Sequence, residues 1–409
     1  MFLKKCISFV YRQFKHLLIK LARIFFQRWI GLIWKLKTVS KDENVDGFKI
    51  LKIRGMKAAD KYEVVRQSEE TIVYIPPHIN SDKNEKLKVS TPDLFVAEIN
   101  NATVVGLTNI ICAKENLYNN HANLEGKRID ISYGDLIYNI GKVAIVASRK
   151  VSKKIPEAIS IVQAGNYNYY HFFIESLSRL VLVDTIEKYR KVPVLIDAVV
   201  KKNKNYKDLL DKCNTYNHPV IWIEENEHIL VEKLIYASSA IFMPGNVRKR
   251  DMIRNSDFVV SKWLLNSLRD RFEYPGMDHG EGNKKIIISR KNTSNSRLSN
   301  EKEIVETVVR SGFEVIYPES LTVLQQAEIF RSSDKIIAVS GGAMANILFC
   351  KPGTNVYCII PDEHRFYLYS TMAYLLGLNY VAVSGEISEK VAYPGMDEFT
   401  VDVKVFENI

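Results

Sequence analysis

Apolar positions along the chain change period several times, and each change marks a region. In residues 1–37, MFLKKCISFVYRQFKHLLIKLARIFFQRWIGLIWKLK, they recur at Leu3, Ile7, Val10, Phe14, Leu17, Leu21 and Ile24. Steps of three and four put these side chains on one helical face. Lys or Arg interrupts every stretch, so no run reaches the roughly 18 apolar residues that a spanning helix needs. The polar run 37–47, KTVSKDENVDG, reads as a link into the folded part. From 48 to 150, short runs between turns predict strands, among them Phe95–Ile99, Ala102–Val105 and Val143–Val146. The polar piece 79–90, INSDKNEKLKVS, predicts an exposed loop.

From residue 159 the pattern alternates between strand and helix. ISIVQ leads through the turn AGNYN into a predicted helix, YYHFFIESLSRLVLVDTIEKY, and strands follow at 192–196, 219–223 and 232–237. The C-terminal half repeats the theme. Strand 284–289, helix 301–311 ending at Gly312, strand 313–317, helix 321–332, strand 335–339, helix 343–349 and strand 355–360 follow in order. Ser299-Asn300-Glu301 offers an N-cap and early acids, and Gly312 suits the C′ position. Such alternation predicts parallel, doubly wound layers. The segment 386–409 carries no readable motif.

Charge changes the picture at one end only. Nine of the 57 Lys and Arg residues lie in 1–37, where there is no acid, leaving 48 basic against 47 acidic side chains in the rest. The excess therefore belongs to the N-terminal segment and not to a docking face on the body, which argues against nucleic acid as a partner. A basic amphipathic helix with Trp29 and Trp34 fits an anionic membrane interface, the alternative being a helix packed on its own body or on a second subunit. Five scattered cysteines form neither a CxxC motif nor a disulfide framework, as in a cytosolic protein.

Two places carry candidate chemistry. His171, Glu175 and Arg179 stand at i, i+4 and i+8 on a helix that follows a strand, where α/β sheets bind ligands. A histidine that titrates near neutral pH beside a carboxylate suits general base work, although the same spacing suits an ordinary solvated face. Arg290 and Arg297 follow the strand at 284–289, and Ser340-Gly341-Gly342 turns from a buried strand into a helix. Guanidiniums can clamp a diphosphate, and glycines let a ligand approach a helix N-terminus. Surface arginines and a plain tight turn would look the same in sequence.

Taken in order, these residues resemble glycosyltransferase family 61. Asn168-Tyr-Tyr-His171-Phe-Phe-Ile-Glu175-Ser-Leu-Ser-Arg179-Leu180 matches the family's N-Y-Y-H-x-x-x-[DE]-x-L-x-R-L helix. Ile288-Ser-Arg290, Arg297, Asn300-Glu301, Gly312-Phe313, Pro318-Glu319, Gly341-Gly-Ala-Met-Ala-Asn346 and Pro352-Gly353 follow in the family order. This chain has Ser340 where many members carry His. The likeness covers about residues 94–385.

The resemblance implies a GT-B-like α/β architecture, with two Rossmann-like domains facing a cleft, here plus the N-terminal amphipathic helix. The expected segments are a membrane-associating helix at 1–40, an acceptor-side domain at 48–265, a nucleotide-sugar domain at 280–385 and a tail at 386–409. It implies inverting transfer from a nucleotide sugar to a glycan with no cofactor and no essential metal. Expected site residues are His171 and Glu175 for catalysis, and Arg290, Arg297, Ser340, Gly341, Gly342 and Asn346 for the donor. Asn168, Arg179, Asn300 and Glu319 are expected in support. With residues 1–37 on an anionic membrane, the setting expected is the cytoplasmic face, in bacterial surface polysaccharide synthesis. The alternatives are transfer of a pyruvyl or glycerol-phosphate group, and a non-catalytic scaffold for glycan assembly.

Overall fold

The structure is a computed structural model, and it describes residues 32–33, 35–79, 81–119, 133–243, 252–273, 283–291, 297–362, 366–389, 397–407 and 409. The expected N-terminal amphipathic helix falls mostly outside these, although residues 32–33 and 35–39 are helical.

The first half builds strands β1 (Val45–Arg54), β2 (Lys61–Arg66), β3 (Glu70–Ile75), β4 (Glu85–Ser90) and β5 (Leu94–Val105). It continues with β6 (Ile111–Ala113), β7 (Asn116–Tyr118), β8 (Leu136–Ile140), β9 (Val143–Arg149) and β10 (Lys153–Ser160). After β10 come helix α1 (Leu177–Val183), β11 (Val194–Asp197), α2 (Lys204–Cys213), β12 (Val220–Ile223), β13 (His228–Ala237) and α3 (Lys262–Arg269). The stretch 79–90 is less irregular than its polarity implied, because Glu85–Ser90 pairs with β3 as a hairpin.

Eleven of these strands form one mixed sheet, in the order β12-β11-β10-β13-β5-β6-β7-β1-β9-β8 with β2 also on β5. Its parallel part is β12-β11-β10-β13, and β5 joins β13 antiparallel. The chain leaves β10 in one direction for β11 and β12, and β13 lies on its other side. β10 and β13 therefore flank the point where strand order reverses, which is where open parallel sheets bind ligands.

The second half builds β14 (Lys284–Ile288), α4 (Glu301–Arg310), β15 (Glu314–Ile316), α5 (Val323–Arg331), β16 (Ser333–Val339), β17 (Asn355–Pro361), α6 (Leu368–Leu375), β18 (Asn379–Glu389) and β19 (Glu398–Thr400). The order is β15-β14-β16-β17-β18-β19, parallel except for the last pairing. Here the reversal lies between β14 and β16. The alternation seen in sequence gives these elements because apolar strands such as KKIII and SDKIIAV are buried on both faces. Gly312 ends α4 at φ 84, as its C′ placement predicted. The capping residue of α4 is Asn300 rather than Ser299, and its side chain bonds the backbone of Val401 instead of the helix. The segment 386–409 is built into this layer. β19 pairs with β18, and Phe399 and Phe406 are fully buried.

The largest apolar cluster draws on both sheets. It joins Ile159, Phe173 and Leu180 to Ile286, Ile336, Val356 and Ala382 without a break. The β3–β4 hairpin adds a strap from the first half to the second. The Tyr74 amide donates to Thr371 Oγ1 at 3.0 Å, Ser370 Oγ donates to the Tyr74 carbonyl at 2.6 Å, and Tyr74 stacks on Tyr374.

Candidate active site

The segment after β10 is shaped before it becomes a helix. Asp197 ends β11 and is buried, with its carboxylate accepting from the amides of Leu107 (2.5 Å) and Gln163 (3.0 Å) and from Asn166 Nδ2 (2.6 Å). Burial raises its pKa to about 6 against the pull of those donors. Asn166 in turn accepts from Ser176 Oγ at 2.7 Å. Gly165 adopts φ +99, and a Cβ there would lie 3.1 Å from Cδ2 of His171. A bare left-handed backbone thus forms the seat on which the imidazole rests.

His171 opens a π-helical turn, His171–Ser176, which runs into α1. Wide turns of this kind often mark functional positions. His171 Nδ1 lies 3.1 Å from Glu175 Oε2, and Glu175 also accepts from Tyr170 Oη at 3.0 Å and from Gln163 Nε2. Only 14% of the Glu175 side chain is exposed, against 33% of His171. Burial favours the neutral acid, yet His171, Arg179 and the Gln163 bond hold the Glu175 pKa down to about 2. The carboxylate is therefore ionised and fully engaged. Burial disfavours the His171 cation, but the charge and bond of Glu175 outweigh it and raise the imidazole pKa. The two side chains are held differently. Glu175 orients and charges, and His171 faces outward with Nε2 directed away from its partner.

Arg179 does not extend a solvated stripe. Its guanidinium is buried over the Tyr236 ring, 5.1 Å from the centroid, and its Nε and Nη1 have no hydrogen-bond partner. It lies at the β10–β13 reversal and contributes positive charge toward Glu175.

The second cluster stands at the other reversal. Arg290 follows β14 and Ser340 follows β16. Arg290 Nη1 and Arg297 Nη2 both donate to the Ser340 carbonyl, at 3.2 and 2.8 Å. Glu301 fixes the strand end by accepting from the Arg290 amide (2.6 Å) and Ser289 Oγ (2.9 Å). Burial lowers the pKa of both arginines, and for Arg297 the neighbouring Arg290 charge adds to it. A Cβ at Gly341 would lie 2.8 Å from Arg290 Nη1, so a side chain there would displace that guanidinium from its present seat. Gly341 caps a 3-10 helix, Gly342–Phe349, where the sequence predicted an α-helix.

The two clusters meet. A Cβ at Gly342 would come within 3.2 Å of Asn168 Oδ1, which itself accepts from the Tyr170 amide. Tyr169 Oη donates to Asn346 Oδ1 at 2.8 Å, and Asn346 Nδ2 donates to Gln326 Oε1 at 2.7 Å. Gln326 reaches on to the Pro318 carbonyl. Asn346, expected on the donor, is fully buried and spends its amide on this bridge. Asn300 ties α4 to Val401, and Glu319 is exposed on the Pro318–Ser320 turn, so neither joins the cluster. Sequence reasoning missed Tyr369 on α6. Its buried ring stands edge-on to Tyr170 and feels the charges of Arg290, Glu175 and Arg297. Gln163 and Asp197 were missed as well, since each is a single polar residue at or beside a strand end with no motif around it; Gln326, where many family members carry Glu-Gln at 325–326, was noticed only as a departure from that pattern.

Among the described residues, no three or more His, Cys, Asp or Glu side chains gather as a metal-binding group. No curated protein matches the chain. Residues 169–357 match the family model Glycosyltransferase 61. That span runs from the aromatic pair ahead of His171, through both arginines and the Ser340 turn, into β17. Over these residues the chain carries a glycosyltransferase family 61 domain, which supports an enzyme of the glycosyltransferase class.

Proposed function

We propose that this enzyme is an inverting, metal-independent transferase that moves a sugar from a nucleotide sugar to a glycan acceptor in bacterial surface polysaccharide assembly. The proposal takes 48–265 as the acceptor side and 280–385 as the donor side of a GT-B-like arrangement. The observation that carries it is the junction of the two reversal points. The His171–Glu175 pair leaves one sheet and the Arg290–Arg297 pair leaves the other, and Asn168, Gly342 and Tyr369 lie where they join.

In this reading the donor diphosphate lies against Arg290, Arg297 and the Gly341-Gly342 backbone. The two cations offset the charge that grows on the departing nucleoside diphosphate. His171 takes the proton of the acceptor hydroxyl as its oxygen bonds the anomeric carbon and the carbon–phosphate-oxygen bond breaks on the opposite side. Glu175 holds the imidazole and stabilises the cation that forms. Asn346 and Tyr169 keep the halves in register. Residues 1–37 hold the enzyme on the cytoplasmic face of an anionic membrane, within reach of lipid-linked acceptors.

The test is a panel of nucleotide sugars, with released nucleotide and product mass measured. One donor should give nucleotide release and a product heavier by one sugar. His171→Ala should then lose on the order of 100-fold or more in turnover with donor binding kept. Arg297→Ala should weaken donor binding by about tenfold or more, the loss of a charge-assisted bond. A product heavier by a pyruvyl or glycerol-phosphate group would move the reading to that chemistry.

A further inference from the structure

Nine large hydrophobic side chains are exposed among the described residues; three of them, Phe48, Ile50 and Val143, lie on the paired strands β1 and β9, and Ile33 and Val151 stand near those strands in sequence. Phe48 and Ile50 belong to β1 and Val143 to β9, which pair antiparallel with Ile50 opposite Ile145 and Lys52 opposite Val143. Opposed residues of such a pair share a face. The alternate residues Leu51, Ile53, Ala144 and Val146 fill the core beneath. The outward face should then be polar, as on other antiparallel sheets with one side in water. Instead it presents Phe48 at 39%, Ile50 at 74% and Val143 at 40% exposure, followed along β1 by exposed Lys52 and Arg54. Ile33 lies in the helical segment that runs into β1, and Val151 follows the end of β9.

Charge separates this surface from an ordinary protein-binding patch. Residues 142–154 hold five basic and no acidic side chains, and residues 33–54 hold six basic and three acidic. Arg149 is spent on Asp42 and Asp135, but Lys52, Arg54, Lys142 and Lys150 are exposed. The face is also continuous in sequence with the acid-free segment 1–37. An apolar strip rimmed by Lys and Arg matches the boundary of headgroups and acyl chains in an anionic leaflet. No helix among the described residues is long and apolar enough to cross a membrane.

We propose that the outer face of β1 and β9 is a second membrane contact, seating Phe48, Ile50 and Val143 in the interface of an anionic bilayer. It rests on the peripheral-membrane reading of residues 1–37 and adds to it a site on the folded body. β1 and β10 lie toward opposite ends of the same sheet. Docking through β1 therefore leaves the His171 side of the sheet clear of the bilayer.

The test is co-sedimentation of the full chain with phosphatidylglycerol-containing vesicles and with pure phosphatidylcholine vesicles. The wild type should pellet with the first only. Phe48→Glu/Ile50→Glu, in exposed positions, should keep its melting temperature and lose about tenfold in vesicle partitioning. Ile50→Cys carrying an environment-sensitive fluorophore should shift its emission to the blue when phosphatidylglycerol vesicles are added. Wild-type partitioning by the double variant, with no shift from the label, would overturn the second contact and leave the reading of residues 1–37 standing. A wild type that pellets with neither vesicle would overturn both. A wild-type dimer that becomes monomeric in the double variant would assign the face to a second copy of the chain and overturn the proposal.

Discussion

Glu175 is surrounded by donors, and its value to the site is the charge it keeps. With its pKa held near 2, it remains a carboxylate through the working range and raises that of His171. Glu175→Gln should therefore act twice on the pH profile. The plateau of turnover should fall, and the acid limb, set by deprotonation of His171, should move to lower pH. A histidine-detected NMR titration of the variant checks the second effect directly. Stability carries the same signature. A carboxylate depressed from 4.5 to about 2 stabilises the fold above pH 4.5, and that contribution is lost as pH falls toward 2. Chemical denaturation across that window should show the acid loss in the wild type and a smaller one in Glu175→Gln. Gly165 acts by what it lacks. Gly165→Ala would force a strained left-handed Ala and press its Cβ on the imidazole. Turnover should fall while donor affinity holds, and equal losses in both would show general misfolding instead.

At the scale of elements, the decisive feature is how strand ends are tied to the helices that follow. Asp197 moulds the loop after β10, Glu301 fixes the end of β14, and Asn346 bridges the 3-10 helix to Tyr169. Removing a bridge of this kind leaves partners buried without bonds. Asn346→Ala should cost about 1–3 kcal/mol for each group left unsatisfied at Tyr169 and Gln326. Thermal unfolding measures the loss, and donor affinity reports whether the effect stays structural. The element pattern itself was legible. Strands near 284, 335 and 355 and helices near 301 and 323 stand where apolar period and capping residues placed them. The 3-10 form of Gly342–Phe349, the π-turn at His171 and the strand Glu85–Ser90 were not, because close packing or cross-strand pairing, rather than propensity, sets each of them.

For the whole molecule, one core runs through both sheets and the β3–β4 hairpin straps the halves together. Halves joined this way should unfold together. Calorimetry should show one cooperative transition, and two resolved transitions would show that the sheets fold as separate domains. The same continuity bears on catalysis. The two clusters already touch through Asn168, Gly342 and Asn346, so bringing them together does not depend on closing a wide cleft.

The sequence by itself determined the alternation of strand and helix in the second half, the resemblance to glycosyltransferase family 61, and the residue types of the candidate site. These rest on local period, on capping and turn chemistry, and on ordered motifs, all of which are written within a few residues. It did not decide what each polar residue does. Asn346 and Arg179 sit in motifs beside His171 and Arg290, yet they are buried, one as a bridge and the other over Tyr236. Tyr369 and Asp197 stand in no motif, yet they line or mould the site. Role depends on burial and on partners brought from far along the chain. Those follow from which strands lie at the two reversal points, and only the folded sheets determine that.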